Sequence, residues 1–130
     1  MTPFNPSASH PARAVQAWII LVGHAMNRQT LTYEMLGELM FRRRAAGVLK
    51  DILGHVAEYC NANELPPLTA IVVNKARGKP GVNIPTDFAT LDRDRENVYR
   101  CDWFDIYPPS ERELAEVYAA TKAAAKKKKP

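Results

Sequence analysis

A chain of 130 residues, 46% apolar and 25% charged, has the length and balance of one globular domain with a single core. Its longest apolar run, residues 17–22, falls far short of the roughly 18–20 residues a membrane helix needs, so no membrane role is expected. Residues 1–11 have no basic leader followed by an apolar core, and Cys60 and Cys101 stand apart without a CxxC, so a cytoplasmic chain with two ordinary thiols is expected.

The net charge of +4 is unevenly spread. Residues 1–84 hold nine Lys or Arg against five Asp or Glu, residues 85–121 four against nine, and residues 122–130 five lysines alone. Such separation implies a basic face, an acidic face and a basic arm, which suits a polyanionic partner without demanding one.

In chain order, residues 1–10 are rich in Pro, Ser and Asn and are expected to be disordered. Pro11 in a first turn, followed by Val15, Trp18, Ile19, Val22, Ala25 and Met26, predicts a helix over 11–26. Ile20 and Leu21 widen its apolar face enough for deep burial. Thr32 is the predicted N-cap of a short helix over 33–41 that turns Tyr33, Leu36, Leu39 and Met40 inward. After three arginines, Ala45, Val48, Leu49, Ile52, Leu53, Val56 and Cys60 recur at spacings of three and four. They predict a helix over 44–60 whose outer face carries Arg44, Lys50, Asp51, His55 and Glu58. Asn61 and Asn63 suit its end, and Pro66-Pro67 forbid continuation.

Residues 68–73, β-branched and led by the prolines, predict a buried strand. The segment 75–81 is turn chemistry, from which residues 82–84 return as a hairpin partner. A charged helix is predicted over 89–97 and, from alternation, a third strand over 98–106. Ser110 and Glu113 form a capping box that opens a last helix burying Leu114, Val117 and Tyr118. From residue 119 the chain decays into Ala and Lys, with a flexible basic tail over 122–130. The expected class is α+β and mainly helical, with four to five helices and a two- to three-stranded sheet, winged-helix-like, in one domain over 11–121.

The inventory for catalysis is poor. His10, His24 and His55 share no ligand spacing, and nothing beside Cys60 or Cys101 would activate a thiol. Asp87, Asp92, Asp94, Glu96, Asp102 and Asp105 are interleaved with Arg93, Arg95 and Arg100, a pattern of surface ion pairs rather than of a metal site. Neither enzymatic activity nor a cofactor or metal is expected.

Binding is better represented. Arg42, Arg43 and Arg44 stand at the junction of the two central helices, with Lys50 beyond them. In a helix-turn-helix, these opening residues of the second helix approach base edges and phosphates. Lys75, Arg77 and Lys79 would occupy the tip of a wing, where planar guanidinium and flexible ammonium groups reach phosphate oxygens. The leading expectation is therefore a non-catalytic nucleic-acid-binding domain, with duplex DNA as partner and an accessory or regulatory role. One irregularity stands against it: residues 40–43 must supply the inter-helix turn, while Gly47 falls inside the second helix. The competing expectation is a protein-interaction module or homodimer, a small factor on a larger complex, anchored by exposed groups among Trp18, Tyr99, Trp103 and Phe104.

The string Thr30-Leu31-Thr32-Tyr33, Leu36-Gly37-Glu38-Leu39, Ile52-Leu53, Tyr59-Cys60, Leu65-Pro66-Pro67-Leu68-Thr69, Val72-Val73-Asn74-Lys75 and Gly78-Lys79-Pro80-Gly81 resembles a family of small bacterial and phage proteins of uncharacterised role. In outline it is also similar to the winged-helix DNA-binding domain of the alkyltransferase and alkyltransferase-like proteins. That resemblance, over about residues 30–81, implies an Arg-bearing recognition helix followed by a Pro-led strand and wing. After Pro67 the alkyltransferases place Pro-Cys-His-Arg, whereas this chain has Leu68-Thr69-Ala70. Alkyl transfer is thereby excluded, and the role the resemblance implies reduces to binding.

Overall fold

The computed structural model describes Phe4 and residues 9–42, 46–74 and 91–127. Among them, α1 (His10–Met26), β1 (Leu31–Thr32), α2 (Tyr33–Phe41), α3 (Ala46–Ala62), β2 (Val72–Val73), α4 (Leu91–Arg100) and α5 (Glu111–Lys127) follow in order, with 3-10 turns at Leu68–Ile71 and Trp103–Asp105. The protein is mainly helical, with one small two-stranded sheet.

Local chemistry sets the helix ends. Ser9 caps α1 by accepting from the Ala12 N–H at 3.4 Å, and Thr32 caps α2 by accepting from the Met35 N–H at 3.1 Å. The capping box at α5 is complete: Ser110 Oγ accepts from the Glu113 N–H at 3.1 Å, and Glu113 Oε1 accepts from the Ser110 N–H at 3.2 Å. Two C-termini close as Schellman motifs on residues other than glycine. The Gln29 N–H reaches His24 O and the Arg28 N–H reaches Ala25 O, with Arg28 at φ 54°; Leu65 and Glu64 repeat the pattern on Cys60 O and Asn61 O, with Glu64 at φ 56°. The alanines of the last segment do not end α5, which runs to Lys127, because alanine is the strongest helix former.

The core is built around α3, which packs against α1 and α5. Its consecutive residues Ile52, Leu53, Gly54, His55, Val56 and Ala57 are all buried, so the middle of this helix has no open face. Two indoles join the remaining elements to it. Trp18 of α1 meets Trp103 edge-to-face at 5.5 Å and Tyr59 of α3 at 5.7 Å, and Trp103 Nε1 donates to Val98 O at 2.8 Å. A hydrogen bond from Ser9 Oγ to Glu111 Oε1, 3.1 Å, ties the start of α1 to the start of α5.

Several expectations are corrected. Residues 68–73 are not one strand: Leu68–Ile71 form a buried 3-10 turn, closed by Ala70 N–H to Pro67 O, and only Val72–Val73 are extended. This strand pairs in parallel with β1, Leu31 beside Val72 and Thr32 beside Val73. The hairpin partner expected at 82–84 lies outside the described residues. Nor is 98–106 a strand, because Val98 sits on the buried face of α4 and Trp103 turns back into the core; the apolar alternation arose from a helix end and a turn. Deep burial of α1 holds for Trp18, Leu21 and Val22 but not for Ile19, which is 62% exposed. Leu39, expected inward, is 55% exposed, because α2 buries only the stripe of Leu36, Gly37 and Met40. His55, expected on the outer face of α3, is buried under α5.

Candidate nucleic-acid interface

The junction of α2 and α3 carries two of the predicted basic groups in view. Arg42 closes α2 in the left-handed conformation, φ 59°, and is exposed; Lys50 is exposed near the start of α3. Arg43, Arg44, Lys75, Arg77 and Lys79 lie outside the described residues. The exposed surface of α3 near Lys50 also includes Gly47, Val48 and Asp51, before the helix passes under its neighbours. Asp51 is not wholly available, since one carboxylate oxygen is 4.0 Å from His10 Nδ1.

Beside Arg42 lies a charged group that the sequence reading missed. Arg13, only 5% exposed, donates from one terminal nitrogen to Met40 O at 3.0 Å and to Gln16 Oε1 at 2.9 Å. Its guanidinium is held between the rings of Phe4, at 4.6 Å, and Phe41, at 4.4 Å. A cation here satisfies an unpaired carbonyl at the C-terminus of α2 and meets the negative end of that helix. Burial draws its pKa downward, yet a guanidinium remains charged. The available signal was positional: Arg13 stands four residues before Ala17 and eight before Leu21, on the buried face of α1. Arg13, Arg42, Gln16 and Leu39 border a hollow of about 380 Å³.

The aromatic groups expected as partner anchors divide. Trp18 and Trp103 are each 2% exposed and bound into the core, which removes them from any partner's reach. Tyr99 is half-buried with the Arg28 guanidinium 5.7 Å above its ring, and Phe104 is exposed. A different apolar surface is open instead: Met35 and Leu39 project from α2 beside a second hollow of about 680 Å³ that Glu34, Glu38 and His24 also line.

Other titratable groups are absorbed by structure. Burial pushes the Cys60 thiol up to about 12, and burial followed by the Asp102 charge also raises Cys101. His24 Nδ1 lies 3.0 Å from Ile20 O. The acidic α4 does form ion pairs: Glu96 meets Arg100 at 3.0 Å and Arg28 at 3.3 Å, and these hydrogen bonds lower its pKa. Arg95 turns inward to donate to Ala70 O at 2.8 Å, fastening α4 to the 3-10 turn before β2. Among the described residues, no three His, Cys, Asp or Glu side chains come together as metal ligands. Nor is any helix among them long and apolar enough to cross a membrane. Comparison with protein-family models, curated proteins and solved structures gives no match.

Proposed function

We propose that the chain is a non-catalytic nucleic-acid-binding domain, an accessory or regulatory factor that engages the phosphates of duplex DNA through the junction of α2 and α3. The observation that carries this reading is the exposure of Arg42 and Lys50 on either side of the start of α3, a helix whose middle is enclosed by its neighbours. A helix enclosed in this way offers only its opening turns, so it meets a duplex end-on instead of lying along a groove. Phosphates, rather than base edges, are then the groups within reach of Arg42, Lys50 and the adjacent Arg43 and Arg44. Binding of this kind is weakly sequence-dependent and steeply salt-dependent.

The order helix, strand, two helices, strand from α1 to β2 supports a winged-helix-like form of the reading, with Lys75, Arg77 and Lys79 as the wing contact. The resemblance of residues 30–81 to alkyltransferase-like DNA-binding domains points the same way. Fluorescence anisotropy with a labelled duplex of roughly 20–30 bp, titrated across salt, tests the proposal. Replacing Arg42, Arg43, Arg44 and Lys50 together by Ala is expected to flatten the slope of log K against log salt by about 3. No binding at low salt, or an unchanged slope in that variant, overturns it.

A further inference from the structure

We infer that the exposed face of α2 is a self-association surface on which a second copy of this chain docks antiparallel about a two-fold axis near Leu39. Met35 and Leu39, 48% and 55% exposed, lie one helical turn apart and form an apolar strip on a helix of nine residues. Leu39 is the shared wall of two hollows. One is basic, bordered by Arg13 and Arg42; the other is acidic, bordered by Glu34 and Glu38. On the α1 side the groove runs from Gln16 at the basic end to His24 at the acidic end, about 12 Å along the helix.

A surface with a positive end, an apolar middle and a negative end complements its own reversed image. Turning a second copy about Leu39 brings Leu39 against Leu39 and Glu38 of each copy toward Arg42 of the other. A copy placed parallel would set like charges together. The chain's own charge order therefore selects itself as occupant, and a two-fold pairing closes at two copies without leaving a second sticky face. With α2 only about 13 Å long, the contact belongs to the small class of interfaces, so association is weak and is read at high protein concentration.

Sedimentation equilibrium of the full chain, without nucleic acid, tests this. The expected result is a monomer–dimer equilibrium that Leu39→Glu weakens about tenfold or more. Glu38→Arg alone and Arg42→Glu alone each set like charges opposed in their own homodimers and are expected to weaken association about tenfold. Mixed in equal amounts, the two variants restore opposite charges at both contacts and are expected to associate nearly as well as the parent chain. Circular dichroism of each variant checks that these exposed substitutions leave the helices intact. A chain that stays monomeric, a dimer indifferent to Leu39→Glu, or a mixture that does not recover overturns the inference. Leu39→Glu leaves Arg42 and Lys50 in place, so loss of the dimer and loss of nucleic-acid binding are separable in that variant.

Discussion

The imidazole of His55 lies flat on the ring of Tyr118, with centroids 3.8 Å apart and planes 14° from parallel. Gly54 makes room for this stack, since a Cβ at that position would stand 3.4 Å from Tyr118 Cε1. Tyr118 is how α5 grips α3, and a titratable ring sits at the grip.

Burial is the main influence on His55 and lowers its pKa; a hydrogen bond to Asp51 O at 2.7 Å opposes the shift, with nearby His10 and Lys122 lowering it and the Asp51 charge raising it. The unfolded chain therefore takes up a proton near pH ~6.5 that the folded chain still refuses. Stability is expected to be full above that pH, to fall as the pH drops through it, and to level off once the folded ring protonates. Urea midpoints measured from pH 8 to pH 5, in the parent and in His55→Gln, check this. The variant should show a shallower decline, and an equally steep one would place the titration elsewhere.

Glu64 and Arg28 each occupy the left-handed position of a Schellman motif, where a side chain is strained and glycine is not. Glu64→Gly is expected to stabilise the protein by about 0.5–1 kcal/mol. Arg28→Gly should gain less, because the arginine pairs with Glu96 and lies over Tyr99. Thermal melts of the two variants side by side decide the order, and a destabilised Glu64→Gly would contradict the strain argument.

Arg13 holds the end of α2 through a planar fork placed between two phenyl rings. Arg13→Lys keeps the charge but loses the plane, and it is expected to cost about 1–3 kcal/mol. Hydrogen exchange should then quicken at the last turn of α2, around Met40 and Phe41, while α4 stays protected. Uniform loss of protection would mean that Arg13 serves the whole core rather than this helix end.

Much of this architecture was legible in the sequence. The caps at Thr32 and Ser110 were readable because capping is a matter of three or four neighbouring residues. The central helices were readable because their apolar spacing persists over several turns. What failed depended on elements remote in the chain. His55 looks like an outward residue until α5, some sixty positions later, covers that wall of α3. Leu39 fits the inward stripe until the width of α2's covered face is known. The alternation over 98–106 was too short to separate a strand from a helix end followed by a turn. For the interface, Arg42 and Lys50 were found as charges, but Arg13 was passed over because a lone arginine in an apolar helix leaves no periodic trace.

The hydrogen bond between Ser9 and Glu111 has a consequence for biosynthesis. It joins the first turn of the first helix to the first turn of the last, so the earliest and latest helices to leave the ribosome are neighbours in the finished protein. Until residues 114–118 emerge, the wall of α3 at Gly54 and His55 is bare, and the core cannot close. Folding of this domain is thereby deferred until synthesis is nearly done, and a ribosome stalled before residue 110 would hold a chain with an open hydrophobic flank for chaperones to cover.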